Sequence, residues 1–319
     1  MRVTGVSRAV WQPASPCKAR PCGWVERYYS RRLPTLAALR DILGFSSTVL
    51  GARLLAVLAG NADYLLVGRL LGSTALGFYG MAWDLLRFIP DRLYSVVGRV
   101  TLPAFCTLQH DREALERAYC DFTSYIARVI LPLIACAAIA APELIALIYG
   151  KQWIPAAVPM RMLAAGLALL GLRMAIGSVY FAKGRPSFDL YVHGIRLLLI
   201  VAVVSLTARG GLLAVSVGMG LVEAVVSIGG QVLVCQLIEL KLRTIAAATI
   251  PGIRVALLCG LAAAGAKLMS SALAIPSTLA LLPMIALPAI VFCYLEVGTV
   301  WGLVAKAFNG KAQALASSS

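Results

Sequence analysis

Ionisable side chains stand inside long apolar runs of this sequence. Arg53, Asn61 and Asp63 lie in the run 45–71, and Asp84, Arg87 and Asp91 in the run 75–104. Arg173 lies in 156–182, His193 and Arg196 in 190–207, and Glu223 in 212–237. A charge at the centre of a bilayer is costly, so each should face protein or a wet cavity. Ser46, Arg53 and Asn61, seven and eight residues apart, share one helical face; Asp84, Arg87 and Asp91 form a second polar stripe. Planar guanidinium groups suit phosphate and pyrophosphate. Arg53, Arg87, Arg173 and Arg196 are therefore the candidates for lining a cationic cavity that takes such a group. Asp63, Asp84, Asp91 and Glu223 either carry a coupling ion or proton or neutralise neighbouring arginines, and pairing is the simpler reading. Arg69, Arg99, Arg128, Arg161, Arg254 and Lys267, nearer the run ends, are expected to snorkel to headgroups.

The elements that position these residues follow from composition. Of 319 residues, 60% are hydrophobic and 13% charged, against roughly 25% charged in soluble domains. So few charges cannot cover a water-soluble surface. A soluble enzyme, a disordered tail and a disulfide-stapled secreted domain are excluded, and an all-α polytopic membrane bundle is expected. Eight runs approach or exceed the roughly 20 residues a spanning helix needs: about 45–71, 75–104, 122–149, 156–182, 190–207, 212–237, 246–269 and 278–300. Loops such as 72–74 and 208–211 are short, so neighbouring helices run antiparallel. A polar helix, 111–117, is expected between the second and third spans. Pro90, Pro132, Pro159, Pro251, Pro283 and Pro288 lie within spans, where they kink or hinge a helix. Gly218/Gly220 and Gly229/Gly230 allow close helix approach.

The net charge of +15 would suggest nucleic acid in a soluble protein. Here it reads as topology. With the N-terminus inside, sixteen Lys and Arg fall in cytoplasmic segments and only Lys151 and Arg209 outside, as the positive-inside rule requires. Both termini are expected in the cytoplasm and no nucleic acid is expected as a partner. Residues 1–43 read as a basic cytosolic segment suited to anionic headgroups. Residues 44–240 read as a bundle of six spans, 241–304 as two more, and 305–319 as a cytosolic tail.

Catalytic motifs are missing from the sequence: it has no nucleophile elbow, Walker loop, zinc-protease motif or dinucleotide fingerprint. Only two histidines occur, and Cys17 and Cys22 form a lone pair with no second pair to complete a zinc site. No cofactor or metal and no enzyme activity is expected.

The stretch Asn61-Ala-Asp-Tyr-Leu-Leu-Val-Gly-Arg-Leu-Leu-Gly, then Thr74-Ala-Leu-Gly-Phe-Tyr-Gly-Met-Ala, Pro90, Leu102-Pro103-Ala-Phe and Leu108-Gln109 resembles the oligosaccharide flippases of the multidrug/oligosaccharidyl-lipid/polysaccharide exporter superfamily. Tyr149-Gly-Lys-Gln-Trp-Ile-Pro-Ala-Ala and Lys183-Gly-Arg-Pro look like further landmarks. The resemblance covers about 42–300. It implies a transporter of undecaprenyl-pyrophosphate-linked glycans in a bacterial inner membrane. Two six-helix lobes would face each other across a central, typically cationic cavity, with two more helices following. The block 61–109 resembles the seventh and eighth helices, so the chain resembles the C-terminal half only, and a separately encoded N-lobe or a second copy is expected to complete the cavity. A non-functional fragment, a membrane glycan polymerase and a drug exporter are the alternatives. The polymerase would need a large loop, and the intramembrane arginines disfavour cationic drugs.

Overall fold

The computed structural model describes residues 36–169, 171–273 and 280–296. Expectations for the basic N-terminal segment and for the tail after Trp301 lie outside these residues. One compact unit spans Arg40–Glu296. Its described residues form ten α-helices: α1 Leu36–Leu71, α2 Ser73–Thr107, α3 Arg112–Ile139, α4 Ala141–Ile148, α5 Ala157–Leu167, α6 Ile176–Ala182, α7 Ser187–Thr207, α8 Gly211–Ile238, α9 Leu242–Ala272 and α10 Ala280–Glu296.

Among the described residues, four helical stretches are long and apolar enough to cross a membrane: Ser46–Leu71, Arg112–Ile139, Ser187–Ile238, which holds both α7 and α8, and Leu242–Ala272. The helix α2 has the length, 35 residues or about 52 Å at 1.5 Å per residue, but carries five charges along it. The outward faces are apolar. Leu198 and Leu206 of α7 are 71% and 79% exposed, which suits hydrocarbon rather than water. The chain is a multi-pass helical membrane protein.

Two expected spans are interrupted. The run 122–149 divides at Ala140, whose φ of −84° and ψ of 7° end α3. Pro142, in the first turn of α4, has no N–H to bond the Ala138 carbonyl four residues back. The freed carbonyls find other donors: Arg161 Nε donates to Ala138 at 3.2 Å and Lys267 Nζ to Ile139 at 3.0 Å. The polar 111–117 helix is no separate element. Asp111 caps α3 by accepting from the Ala114 amide at 3.0 Å, and α3 runs on unbroken into its apolar part.

The run 156–182 is likewise not one helix. After Leu167 the backbone tightens, passes through a 3₁₀ turn at Gly171–Arg173, and resumes as α6. Gly171 lies so close to Ile130 that a Cβ there would sit 3.0 Å from it. Unwound backbone at membrane depth is tolerated where it lines a cavity, and Arg173 stands on this turn.

The core lies around α8, whose buried face is unusually small and polar: Ser216, Gly218, Gly220, Glu223, Ser227, Gly230 and Gln231. Gly166 of α5 and Gly220 of α8 cross with no room for a side chain; a Cβ on Gly166 would meet the Gly220 carbonyl oxygen at 2.2 Å. Tyr79 and Trp83 of α2, Met160, Leu163 and Leu167 of α5, Ile200 of α7 and Met219 of α8 fill the apolar core nearby. A second cluster joins Tyr119 of α3, Tyr180 of α6 and Val234 of α8. The most extensive helix pair is α3 with α9, where Gly252 lies directly on the Ala127 backbone.

Candidate functional site

A cavity of about 250 Å³ opens between α1, α2, α7, α8 and the broken α5–α6 segment. All four candidate arginines stand on its wall, each from a different element: Arg53 from α1, Arg87 from α2, Arg173 from the 3₁₀ turn and Arg196 from α7. The break in the fourth span is what turns Arg173 onto the wall.

Two of the four are held on a shared carboxylate. Glu223 is fully buried on α8. Arg196 donates to its Oε1 from Nε at 2.9 Å and Nη2 at 2.6 Å, and Arg173 donates to its Oε2 from Nη1 at 3.2 Å. An isolated carboxylate here would be very costly, and the two guanidinium groups satisfy both oxygens. Arg173 and Arg196 are the inner pair. Arg53 is exposed and Arg87 half-exposed. Arg87 Nε lies 3.3 Å from Asp91 Oδ2, one turn along α2, with its guanidinium 5.8 Å from the Trp83 ring centre. Arg53 lies 5.9 Å from the Phe181 ring centre. The wall also holds Asp189 and His193, whose Oδ1 and Nε2 are 3.7 Å apart. Four arginines thus face three carboxylates, Asp91, Asp189 and Glu223. With His193 counted neutral, one positive charge is left over.

Asp63 and Asp84 do not join this wall. Asp63 is buried on α1 and accepts from the Tyr79 hydroxyl at 2.8 Å through Oδ2, while its Oδ1 is buried without a partner. Asp84 is exposed and accepts from the Tyr64 hydroxyl at 2.7 Å. With Asn61, Arg87, Asp91 and Arg92 it borders an open groove of about 700 Å³ between α1 and α2. Of the arginines and lysine expected to snorkel, Arg128 pairs with Glu296 at 3.4 Å and Lys267 with Glu143 at 2.8 Å.

Three wall residues, Trp83, Asp189 and His193, lay outside the sequence-derived site. Asp189, His193 and Arg196 stand four and three residues apart, the spacing that puts them on one helix face; Asp189 precedes the apolar run and so escapes a search confined to spans. Trp83 is buried, and its Nε1 has no hydrogen-bond partner; the same holds for His193 Nδ1. Among the described residues no group of three His, Cys, Asp or Glu is placed to hold a metal ion.

The family described as polysaccharide biosynthesis protein matches residues 22–158. The teichuronic acid biosynthesis protein TuaB of Bacillus subtilis is 28% identical over 209 residues, which cover 65% of this chain and 43% of that protein. The lipopolysaccharide biosynthesis protein WzxC of Escherichia coli is 23% identical over 60% of this chain and 39% of its own length. The amylovoran biosynthesis protein AmsL of Erwinia amylovora is 25% identical over 49% and 40%. The matched part of the chain spans about two fifths of the length of these relatives. No solved structure matches the chain. This partial coverage fits a C-terminal half, and through these matches the chain resembles the polysaccharide biosynthesis protein family.

Proposed function

We propose that this chain forms one lobe of a flippase that moves lipid-linked oligosaccharide or polysaccharide intermediates, of the undecaprenyl pyrophosphate type, across a bacterial inner membrane. The observation that carries this reading is the meeting of Arg53, Arg87, Arg173 and Arg196, from four separate elements, on one cavity. Guanidinium forks bind pyrophosphate oxygens bidentately, and a partly dehydrated cavity strengthens those bonds. Arg53 and Arg87, the more accessible pair, would take the phosphates first. The inner pair, Arg173 and Arg196, already neutralises Glu223 and would reach the ligand by sharing. The Trp83 Nε1–H is an unused donor beside Arg87 that an acceptor oxygen would satisfy.

Arg87, Asp91 and Arg92 also border the open α1–α2 groove, and charges at that depth need protein or water in front of them. A facing lobe, separately encoded or a second copy, would cover them and complete the cavity. Rocking of the two lobes would then give alternating access. The six expected spans within 44–240 would form the lobe, with 241–304 adding two more and both termini in the cytoplasm. Asp63, Asp84, Asp91 and Glu223 are the carboxylates available for a coupling ion, though Asp91 and Glu223 are occupied by arginines.

The test is transport of a fluorescent lipid-linked oligosaccharide in proteoliposomes, with the chain alone and with an N-terminal lobe of the same family. Transport with the second lobe, lost on Arg53→Ala or Arg87→Ala, is expected. No transport in either case would overturn the reading and favour a bundle in which the Arg173–Glu223–Arg196 triad only holds helices together.

A further inference from the structure

At the end of the bundle where α1 turns into α2, a third hollow, of about 330 Å³, is lined by Ser73, Thr74, Gly77, Phe78, Gln152 and Trp153. It differs in chemistry from the main cavity: none of its lining side chains is ionisable. A phosphate would find no counter-charge there, and a lipid tail would meet two hydroxyls and an amide. An aromatic face beside neutral hydrogen-bonding groups matches a sugar ring, whose C–H face is apolar and whose rim is hydroxyl.

The aromatic residue is held in place before any ligand arrives. The Trp153 amide bonds the Gly150 carbonyl at 3.2 Å, and Gly150 takes a φ of +98° that an L side chain rarely adopts. The indole edge lies against Gly77, 3.3 Å from where a Cβ would stand. Phe78 meets the indole edge-to-face with ring centres 5.6 Å apart. Gln152 Nε2 points back to the Tyr149 carbonyl at 3.4 Å, and its Oε1 lies beside Gly150, 2.9 Å from where a Cβ would stand, so the side chain is held where it lines the groove. A ring fixed in this way loses little freedom on binding.

We propose that this groove is a saccharide subsite, in which a neutral sugar of the glycan stacks on Trp153 and bonds Gln152, with the Ser73 and Thr74 hydroxyls at the rim. The inference rests on the glycan-transport reading for the identity of its ligand, but its chemistry is separate from that of the arginine cavity. The positive-inside distribution would put this end outside the cell, where a glycan arrives.

The experiment is fluorine NMR of the full chain carrying 5-fluorotryptophan, in nanodiscs of phosphatidylethanolamine and phosphatidylglycerol, since sugar-headed detergents would fill the groove. The Trp153 resonance is identified by its loss in Trp153→Phe. Methyl glycosides of glucose, galactose, N-acetylglucosamine and rhamnose are titrated at millimolar concentrations, and inorganic pyrophosphate separately. A saturable shift of the Trp153 resonance by at least one glycoside is expected, about fivefold weaker in Gln152→Ala, with no shift by pyrophosphate. A Trp153 resonance that no glycoside moves, or that moves equally in Gln152→Ala, would overturn the inference and leave Trp153 as an interfacial anchor. The Trp83 resonance reports the arginine cavity in the same spectra. Movement of Trp83 with pyrophosphate and a silent Trp153 would sink the saccharide subsite alone; the reverse would sink the pyrophosphate reading alone.

Discussion

Arg196 grips a single carboxylate oxygen of Glu223 with two donors, Nε at 2.9 Å and Nη2 at 2.6 Å. Arg173 takes the other oxygen at 3.2 Å. One buried acid thereby ties α7 and the unwound turn between α5 and α6 to the central helix α8.

Removal of that acid is expected to be severe. Glu223→Gln leaves two guanidinium groups side by side on a buried wall, and breaking a buried charge pair from one side costs about 3–5 kcal/mol. Denaturant-induced unfolding in nanodiscs should show that loss, and added pyrophosphate should recover part of it by supplying the missing negative charge. An unfolding midpoint equal to wild type would mean that the triad contributes nothing to the fold.

The α5–α8 crossing predicts opposite outcomes for two glycines. Gly166→Ala drives a Cβ to within 2.2 Å of the Gly220 carbonyl oxygen, so the helices must part, at about 1–3 kcal/mol. Gly229 has open space in front of it, and Gly229→Ala should be neutral or stabilise α8 by about 0.5–1 kcal/mol. The pair is read by unfolding midpoints, and equal shifts would refute the crossing.

Two tyrosines test the carboxylates outside the cavity. Tyr79→Phe removes the hydroxyl that bonds buried Asp63 and should cost about 1–3 kcal/mol. Tyr64→Phe acts on exposed Asp84 and should stay within about 0.5 kcal/mol. A reversed order in thermal melts would contradict the burial of Asp63.

Lys267 joins α9 to the α3–α4 break. It pairs with Glu143 at 2.8 Å and donates to the Ile139 carbonyl at 3.0 Å. Lys267→Met should weaken the fold by about 1 kcal/mol and speed amide exchange in α4 selectively. Uniform exchange along the chain would argue against a local role.

Much of the fold was legible because apolar runs of spanning length and short glycine turns leave few alternatives. The arginine cluster was legible because guanidinium groups do not occur in spans without cause. The breaks were not. Pro142 near the start of α4 and the tight turn at Gly171 act through backbone hydrogen bonds and close packing on Ile130, and hydropathy carries neither. Asp189 was missed because it stands one position before the apolar run that holds His193 and Arg196. Trp83 was missed because a tryptophan in a span has many bland uses, and only its unpartnered N–H marks it. Charge pairing around Glu223 joins α8 to residues 27 and 50 positions earlier, a proximity that sequence spacing does not encode.

Binding of farnesyl pyrophosphate to the chain in nanodiscs, followed by titration calorimetry, tests most directly whether the cavity is a pyrophosphate site. Wild type is expected to bind, and Arg53→Ala/Arg87→Ala to bind at least about tenfold more weakly, since charge-assisted hydrogen bonds contribute roughly 1.5–3 kcal/mol each. Equal affinity in the two proteins would contradict a phosphate-binding role for the arginine wall.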